Sequence, residues 1–211
     1  VVVQCDKIGF NGTIWPVHPT RKTTFGRPCF RSIEELPAAP DAAYVAVNRS
    51  ATIDVVKALA QRGAGAAVCY AAGFAEAESE ISGSTSLQER LVEAAGDMPI
   101  VGPNCYGFIN ALDGVALWPD QHGAVRCDRG VAIIGQSSNV AINMTMQKRG
   151  LPIAHMMTAG NQAQTGLSRL GLALIEDQRV TALGLHIEGL DDVKDFERLA
   201  LRARAPEKAW T

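Results

Sequence analysis

The chain has 211 residues, 47% hydrophobic and 20% charged, with a formal net charge of -2, which is enough apolar material for one large or two small cores. That balance leaves no excess of positive charge to hold nucleic acid or an anionic membrane, and no apolar run approaches the roughly 20 residues that span a bilayer. The five cysteines, Cys5, Cys29, Cys69, Cys105 and Cys127, are odd in number and lack metal-type spacing, the pattern of reduced thiols in a cytoplasmic protein rather than of a disulfide framework.

In chain order, Thr13 to Val17 (TIWPV) reads as a strand, followed by the loop HPTRKTTFG with adjacent cations at Arg21 and Lys22. Such a pair either holds a phosphate or is simply solvated. Ser32 to Leu36 predicts one helical turn and Ala42 to Val47 a second strand. Asn48, Arg49 and Ser50 then lead into a helix over Ala51 to Arg62, closed by Gly63 to Gly65. Ala66 to Tyr70 predicts a third strand, leaving through Ala71-Ala72-Gly73-Phe74. The acidic stretch EAESEISGSTS reads as a mobile loop. Leu87 to Ala95 predicts a helix, Met98 to Val101 a short strand, and GPNCYGFIN follows. Alternating helices and buried-type strands argue a doubly wound parallel sheet, whose ligands lie beyond the carboxyl ends of the strands. That rule brings the loops at Pro19 to Lys22, Val47 to Arg49, Ala71 to Phe74 and Gly102 to Cys105 towards one edge.

From Leu112 to Arg129 the pattern lapses into a connector, so we divide the chain into a first domain over residues 1–122 and a second over 123–211. The second alternation runs strand Val131 to Ile134, helix Val140 to Arg149, strand Ile153 to Thr158, loop AGNQAQ, helix Gly166 to Ile175, strand Ala182 to Ile187 and helix Val193 to Ala203. Between its first strand and helix, Gln136, Ser137, Ser138 and Asn139 form a polar turn. Such a turn aims N–H groups and hydroxyls at one spot on the positive end of a helix, an anion or phosphate site, or it merely caps the helix. Asp191, Asp192 and Asp195 open the last helix and read as dipole-favoured caps rather than metal ligands, so no metal site is expected. Trp15 and Trp118 read as packing anchors, and Cys105, without a matched base, as a small buried hydrophobe.

Taken together, GPNCYGFIN, GVAIIGQSSNVAI, TAGNQA and LGLHIEGLDD, with GFNGTIWPVHP, PDAAYVAV and AAGFAE before them, resemble the NDP-forming acyl-CoA synthetases, the superfamily of the succinyl-CoA synthetase alpha subunit. The resemblance covers nearly the whole chain, and GPNC-x-G is its most specific piece. It implies an α/β protein in which a Rossmann-like CoA-binding domain precedes a flavodoxin-like domain that receives a phosphohistidine at a helix N-terminus. Carried over by position, it assigns CoA to Arg21, Lys22, Asn48, Gly73 and Asn104, and phosphate to Gln136, Ser137, Ser138 and Asn139. Ser137 falls at the family serine, and Glu188 at the carboxylate that pairs with the histidine. Gly135 and Ser138 depart from the usual Ser-x-Ser-Gly loop, and Asn48 stands where the family often has proline.

The same resemblance implies an acid-CoA ligase that interconverts acyl-CoA, phosphate and NDP with acid, CoA and NTP. NTP and Mg²⁺ would bind an ATP-grasp domain or subunit absent from these residues, and an oligomer is expected. Of the four histidines, none matches the phosphorylated one. We therefore expect a fragment, with a first strand and Gly-rich turn ahead of Val1, the histidine after residue 211, and no turnover by the piece alone. His186 lies two residues before Glu188 on the same predicted strand face and reads as structural. Two other readings stay open: a CoA- or nucleotide-binding regulatory module without catalysis, and an NAD-type oxidoreductase, the latter disfavoured because no G-x-G-x-x-G follows a strand.

Overall fold

A computed structural model describes residues 1–74 and 86–204, so the acidic stretch read as a mobile loop lies, apart from Ser86, outside the described residues. The first sheet is parallel, in the order β3 (Ala43–Val45), β4 (Ala67–Cys69), β5 (Ile100–Val101). Its two helices have local causes. In α2 (Arg49–Arg62) the Asn48 side chain accepts the Ala51 N–H at 2.9 Å, Ile53, Val56 and Leu59 bury one face, and Gly63 ends the helix at φ 81°. In α3 (Leu87–Ala95) Ser86 and Glu89 close a reciprocal capping box, and Leu91 and Ala95 are buried. The two helices pack together over a core that includes Leu36, Val45, Phe74, Leu91 and Ile100.

The second sheet has the order β10 (Val180–His186), β8 (Gly130–Gly135), β9 (Ile153–Thr158), β6 (Phe108–Asn110), β7 (Val115–Leu117). The expected parallel arrangement holds over β10, β8 and β9, but β6 and β7 extend it as antiparallel strands, making the sheet mixed. The stretch read as a connector thus contains a strand. Its turn is fixed by Asn110, whose side chain accepts the Asp113 N–H at 3.1 Å, and by Gly114 at φ 71°. A helix with no sequence expectation, α1 (Val2–Ile8), packs on β7 through buried Cys5 and Ile8, with the Cys5 thiol donating to Ala116 O at 3.1 Å. Burial of Cys5 and Ile8 against the sheet, rather than propensity, holds this valine-rich segment helical.

Two further expectations are corrected. Thr13 to Val17 forms no strand, only one bridge from Val17 to Phe30, because Pro16 has no N–H to donate; its carbonyl accepts from Phe30 N–H at 2.9 Å. The helix expected to reach Arg149, α4 (Ser138–Thr145), stops early. There the Thr145 hydroxyl turns back to Ile142 O at 2.8 Å and accepts the Gly123 N–H at 3.2 Å. Helix α5 (Leu167–Leu174) packs on β8, and α6 (Val193–Ala203) on α5. No helix among the described residues is long and apolar enough to cross a membrane.

His122, whose carbonyl accepts from the Lys7 ammonium of α1, is 1% exposed. Burial, and secondarily the Lys7 charge, hold its pKa below the ordinary 6.5. A histidine kept neutral by the fold stabilises it fully above the unfolded value. That contribution is lost as pH falls from there towards the folded value, since the unfolded chain then binds more protons. Acid should therefore weaken the fold from about pH 6.5 downwards. In His122→Gln that part of the slope should be flatter in denaturation series across pH. An unchanged slope would mean that His122 binds its proton equally well in the folded and the unfolded chain.

Candidate functional site

Both sheets present the carboxyl ends of their strands to loops that meet each other. In the first sheet β3 leads to Asn48, β4 to Tyr70–Phe74 and β5 to Gly102–Cys105. Arg49 Nη1 donates to Gly73 O at 2.9 Å and Asn104 N–H to Ala71 O at 3.0 Å, tying these loops into one rim. Gly102 allows the close approach. At φ 99° it lies in the left-handed region, and a Cβ there would stand 2.7 Å from Cys69 O and 2.8 Å from Cys105 Sγ.

In the second sheet the registered ends are Gly135, Thr158 and His186, and the loop after β9 is bolted onto the first rim. Asn161 N–H donates to Pro103 O at 2.9 Å and Ala163 N–H to Gly102 O at 3.0 Å, while the Gln164 side chain accepts the Ile100 N–H at 2.8 Å. Thr158, fully buried, accepts the N–H groups of Tyr106 and Gly107 at 3.0 and 2.9 Å. The two halves are thus joined by hydrogen-bonded loops at the place where both sheets would receive ligands.

The polar turn after β8 divides its labour. Ser137 caps α4, its Oγ accepting the Val140 N–H at 3.5 Å, the long end of such a bond. Gln136 spends its side chain on the loop after β10. Its Oε1 accepts the N–H groups of Glu188 and of Gly189, the latter at 2.8 Å, and its Nε2 donates to Gly189 O at 2.8 Å. Gln162 donates to the same carbonyl at 3.2 Å. Glu188 is therefore placed beside the serine turn by its backbone while its carboxylate stays largely exposed, 3.9 Å from His186 Nδ1.

A cleft of about 160 Å³ opens between the halves, lined by Tyr70, Ala72, Asn104, Cys105, Tyr106 and Ser138. Of the residues expected from sequence, Asn104 and Ser138 meet in this cleft, Gln136 and Glu188 meet at the turn, and Asn48 and Gly73 lie on the rim through the α2 cap and Arg49. Asn139 is exposed on α4. Arg21 and Lys22 are exposed on the loop before the hairpin of β1 (Thr23–Thr24) and β2 (Arg27–Pro28) and do not line the cleft. The Cys105 thiol, 1% exposed and donating towards Val101 O at 3.5 Å, is pushed by burial up to about 12. That makes it a poor nucleophile near neutral pH. Of the acidic trio only Asp192 caps α6, accepting from Lys194 and Asp195 N–H, while Asp195 pairs with Arg169 and Arg198, each at 2.9 Å. Sequence reasoning missed Arg49, Tyr70 and Tyr106. Tyr106 lies inside the specific GPNC-x-G piece, and Tyr70 at a strand end, both of which were visible signals.

Residues 1–111 match the model of the CoA binding domain and residues 128–209 that of the succinyl-CoA ligase like flavodoxin domain. The chain is 34% identical over 204 residues to a trans-feruloyl-CoA synthase of an unknown prokaryotic organism, covering 94% of this chain and 29% of that one. It is 28% identical to the ADP-forming acetate–CoA ligase I of Archaeoglobus fulgidus, covering 90% and 28%. With the alpha subunit of the ADP-forming acetate–CoA ligase II of Pyrococcus furiosus it shares 26%, covering 90% and 41%. The chain thus spans under a third of the length of the first two relatives. A crystal structure of a Pyrococcus horikoshii OT3 protein superposes with a TM-score of 0.84 at 25% identity, covering 96% of this chain and 46% of that one.

Proposed function

We infer that this chain, which belongs to the NDP-forming acyl-CoA synthetase family, supplies the CoA- and phosphate-handling part of an acid-CoA ligase. The reaction is acyl-CoA plus phosphate plus NDP in exchange for acid, CoA and NTP, through acyl phosphate and a phosphohistidine. The observation that carries this reading is the Gln136 clamp, which holds the backbone of Glu188 and Gly189 beside the turn that opens α4. A phosphorylated imidazole needs both features: N–H donors for its phosphoryl oxygens and a carboxylate for its ring. Ser137, Ser138 and Asn139 present the donors, and Glu188 the carboxylate. Gln136 takes part through its backbone, its side chain being committed to the loop.

The histidine comes from sequence outside these residues. His155 is buried within β9, His122 is buried beside Lys7 of α1, His186 ends β10 two residues before Glu188, and His18 lies in the loop that precedes Arg21, its Nδ1 accepting from Arg21 N–H. CoA lies along the rim, with Asn48, Gly73 and Asn104 near it and Arg21 or Lys22 on a phosphate. The exposed Asn104 amide and the open rim fit a polar, extended ligand of that kind. NTP and Mg²⁺ belong to an ATP-grasp domain or partner subunit, a reading supported by the alpha-subunit relative. The five unpaired thiols support a cytoplasmic setting.

Replacing Arg21 and Lys22 together by alanine should weaken CoA binding to the full-length protein by about 1–3 kcal/mol, the scale of charge-assisted hydrogen bonds. Isothermal calorimetry measures this directly. Unchanged affinity would remove both cations from the site and leave CoA to the rim residues.

A further inference from the structure

The loop between β9 and α5 is fastened to the first half of the chain by its backbone, and one residue in it reaches further. Asn161 and Ala163 donate to Pro103 O and Gly102 O, and the Asn104 amide donates to Asn161 Oδ1 at 3.4 Å. Between those two donors stands Gln162 at φ 57°. That is the left-handed region, which a residue with a Cβ keeps only where its surroundings impose it, and such residues gather at functional sites.

Both ends of the Gln162 side-chain amide are engaged. Its Oε1 accepts the Leu167 N–H at 2.8 Å, the cap that Gly166, with no side chain, cannot give α5. Capping accounts for that end only. The Nε2 end serves no helix and donates to Gly189 O at 3.2 Å, the same carbonyl that takes the Gln136 Nε2 proton at 2.8 Å. Gly189 O is thus held from two flanks, by the turn that opens α4 and by the loop that grips Gly102, Pro103 and Asn104. Gln164, two residues on, is different. It spends both ends on the first half, at the Ile100 N–H and Gly96 O, and so joins the halves without touching the loop after β10.

A continuous hydrogen-bonded path therefore runs from Gln136 through Gly189 to Gln162, and through Asn161 and Ala163 to the loop at Gly102–Asn104. We propose that Gln162 is a positioning residue that couples the two ligand sites: phosphate at the serine turn holds the Gly102–Asn104 loop in its CoA-binding form through the shared Gly189 carbonyl. The proposal rests on the ligase reading above and adds the residue through which its two sites communicate. A ligand that orders one flank leaves less to order for the ligand on the other, so each tightens its neighbour.

Calorimetry of CoA binding to the full-length protein, with and without saturating inorganic phosphate, reads the coupling. Phosphate should tighten CoA about fivefold, and CoA should tighten phosphate by the same factor. Gln162→Met keeps the length of the side chain, removes both amide ends and adds no charge; it should abolish the factor in both directions. Gln162→Gly adopts φ 57° without strain and should do the same, which keeps the test sound if the methionine variant folds poorly. A residue that only caps α5 would instead weaken CoA binding equally in the two conditions and leave the factor as in the parent. That result, or phosphate that leaves the parent's CoA affinity unchanged or lower, would overturn the proposal with the ligase reading standing. A parent protein that fails to bind CoA or phosphate would end the ligase reading and the proposal with it.

Discussion

Replacing Glu188 by glutamine is expected to cut phosphorylation of the full-length protein by acyl phosphate or ATP about 100-fold, the loss of roughly 2.7 kcal/mol of transition-state stabilisation. Glutamine keeps the shape of the side chain and removes only its charge. The backbone at 188 is fixed independently, because Gln136 Oε1 takes the N–H groups of residues 188 and 189. The side chain is 56% exposed, and its approach to His186 Nδ1 is a long one at 3.9 Å. The change should therefore leave the fold within about 0.5 kcal/mol of the parent, as surface substitutions do. Two outcomes would contradict the assignment: full labelling in the variant, or label mapped by mass spectrometry to His186, whose Nδ1 lies 3.9 Å from the same carboxylate.

The largest effect on stability is expected at Trp118. Its side chain is fully buried in the cluster that joins Ile8 of α1, Ile109 of β6, Ala116 of β7 and Ile153 and Met156 of β9. The indole N–H has no partner, so truncation removes apolar contact without breaking a hydrogen bond. Trp118→Ala should cost about 3–5 kcal/mol, as truncation of a buried aromatic does, a large part of the roughly 5–15 kcal/mol that holds a domain together. Far-UV circular dichroism during urea denaturation reads the loss without relying on tryptophan emission. A cost under about 1 kcal/mol would mean that the hairpin and α1 repack around the gap. Tyr106, which Trp118 meets edge-on at 5.5 Å, loses that contact in this variant, so the cleft should loosen together with the core.

Elements whose signals are local were legible in the sequence at their observed bounds. Leu87–Ala95 is opened by its own capping box, Val193–Ala203 by Asp192, and Ile153–Thr158 is a fully buried strand between turns. Elements that owe their form to distant partners were not. Helix α1 exists because β7 covers Cys5 and Ile8, while β6 became a strand by pairing with β9, far along the chain, and β7 by pairing with β6. The site divides in the same way. Asn48 and Ser137 cap their own helices, so their positions could be read directly. Glu188 and Asn104 came from resemblance. The Gln136 clamp spans 53 residues, and the facing of Tyr70 and Tyr106 depends on how two sheets meet, so neither had a local trace.

A chain that handles CoA and phosphate for one coupled reaction fixes the stoichiometry of its products. Full-length protein given an acyl-CoA, ADP and Mg²⁺ should release free CoA and form ATP in equal amounts, and only when inorganic phosphate is present. Release of CoA without ATP, or at the same rate without phosphate, would contradict it.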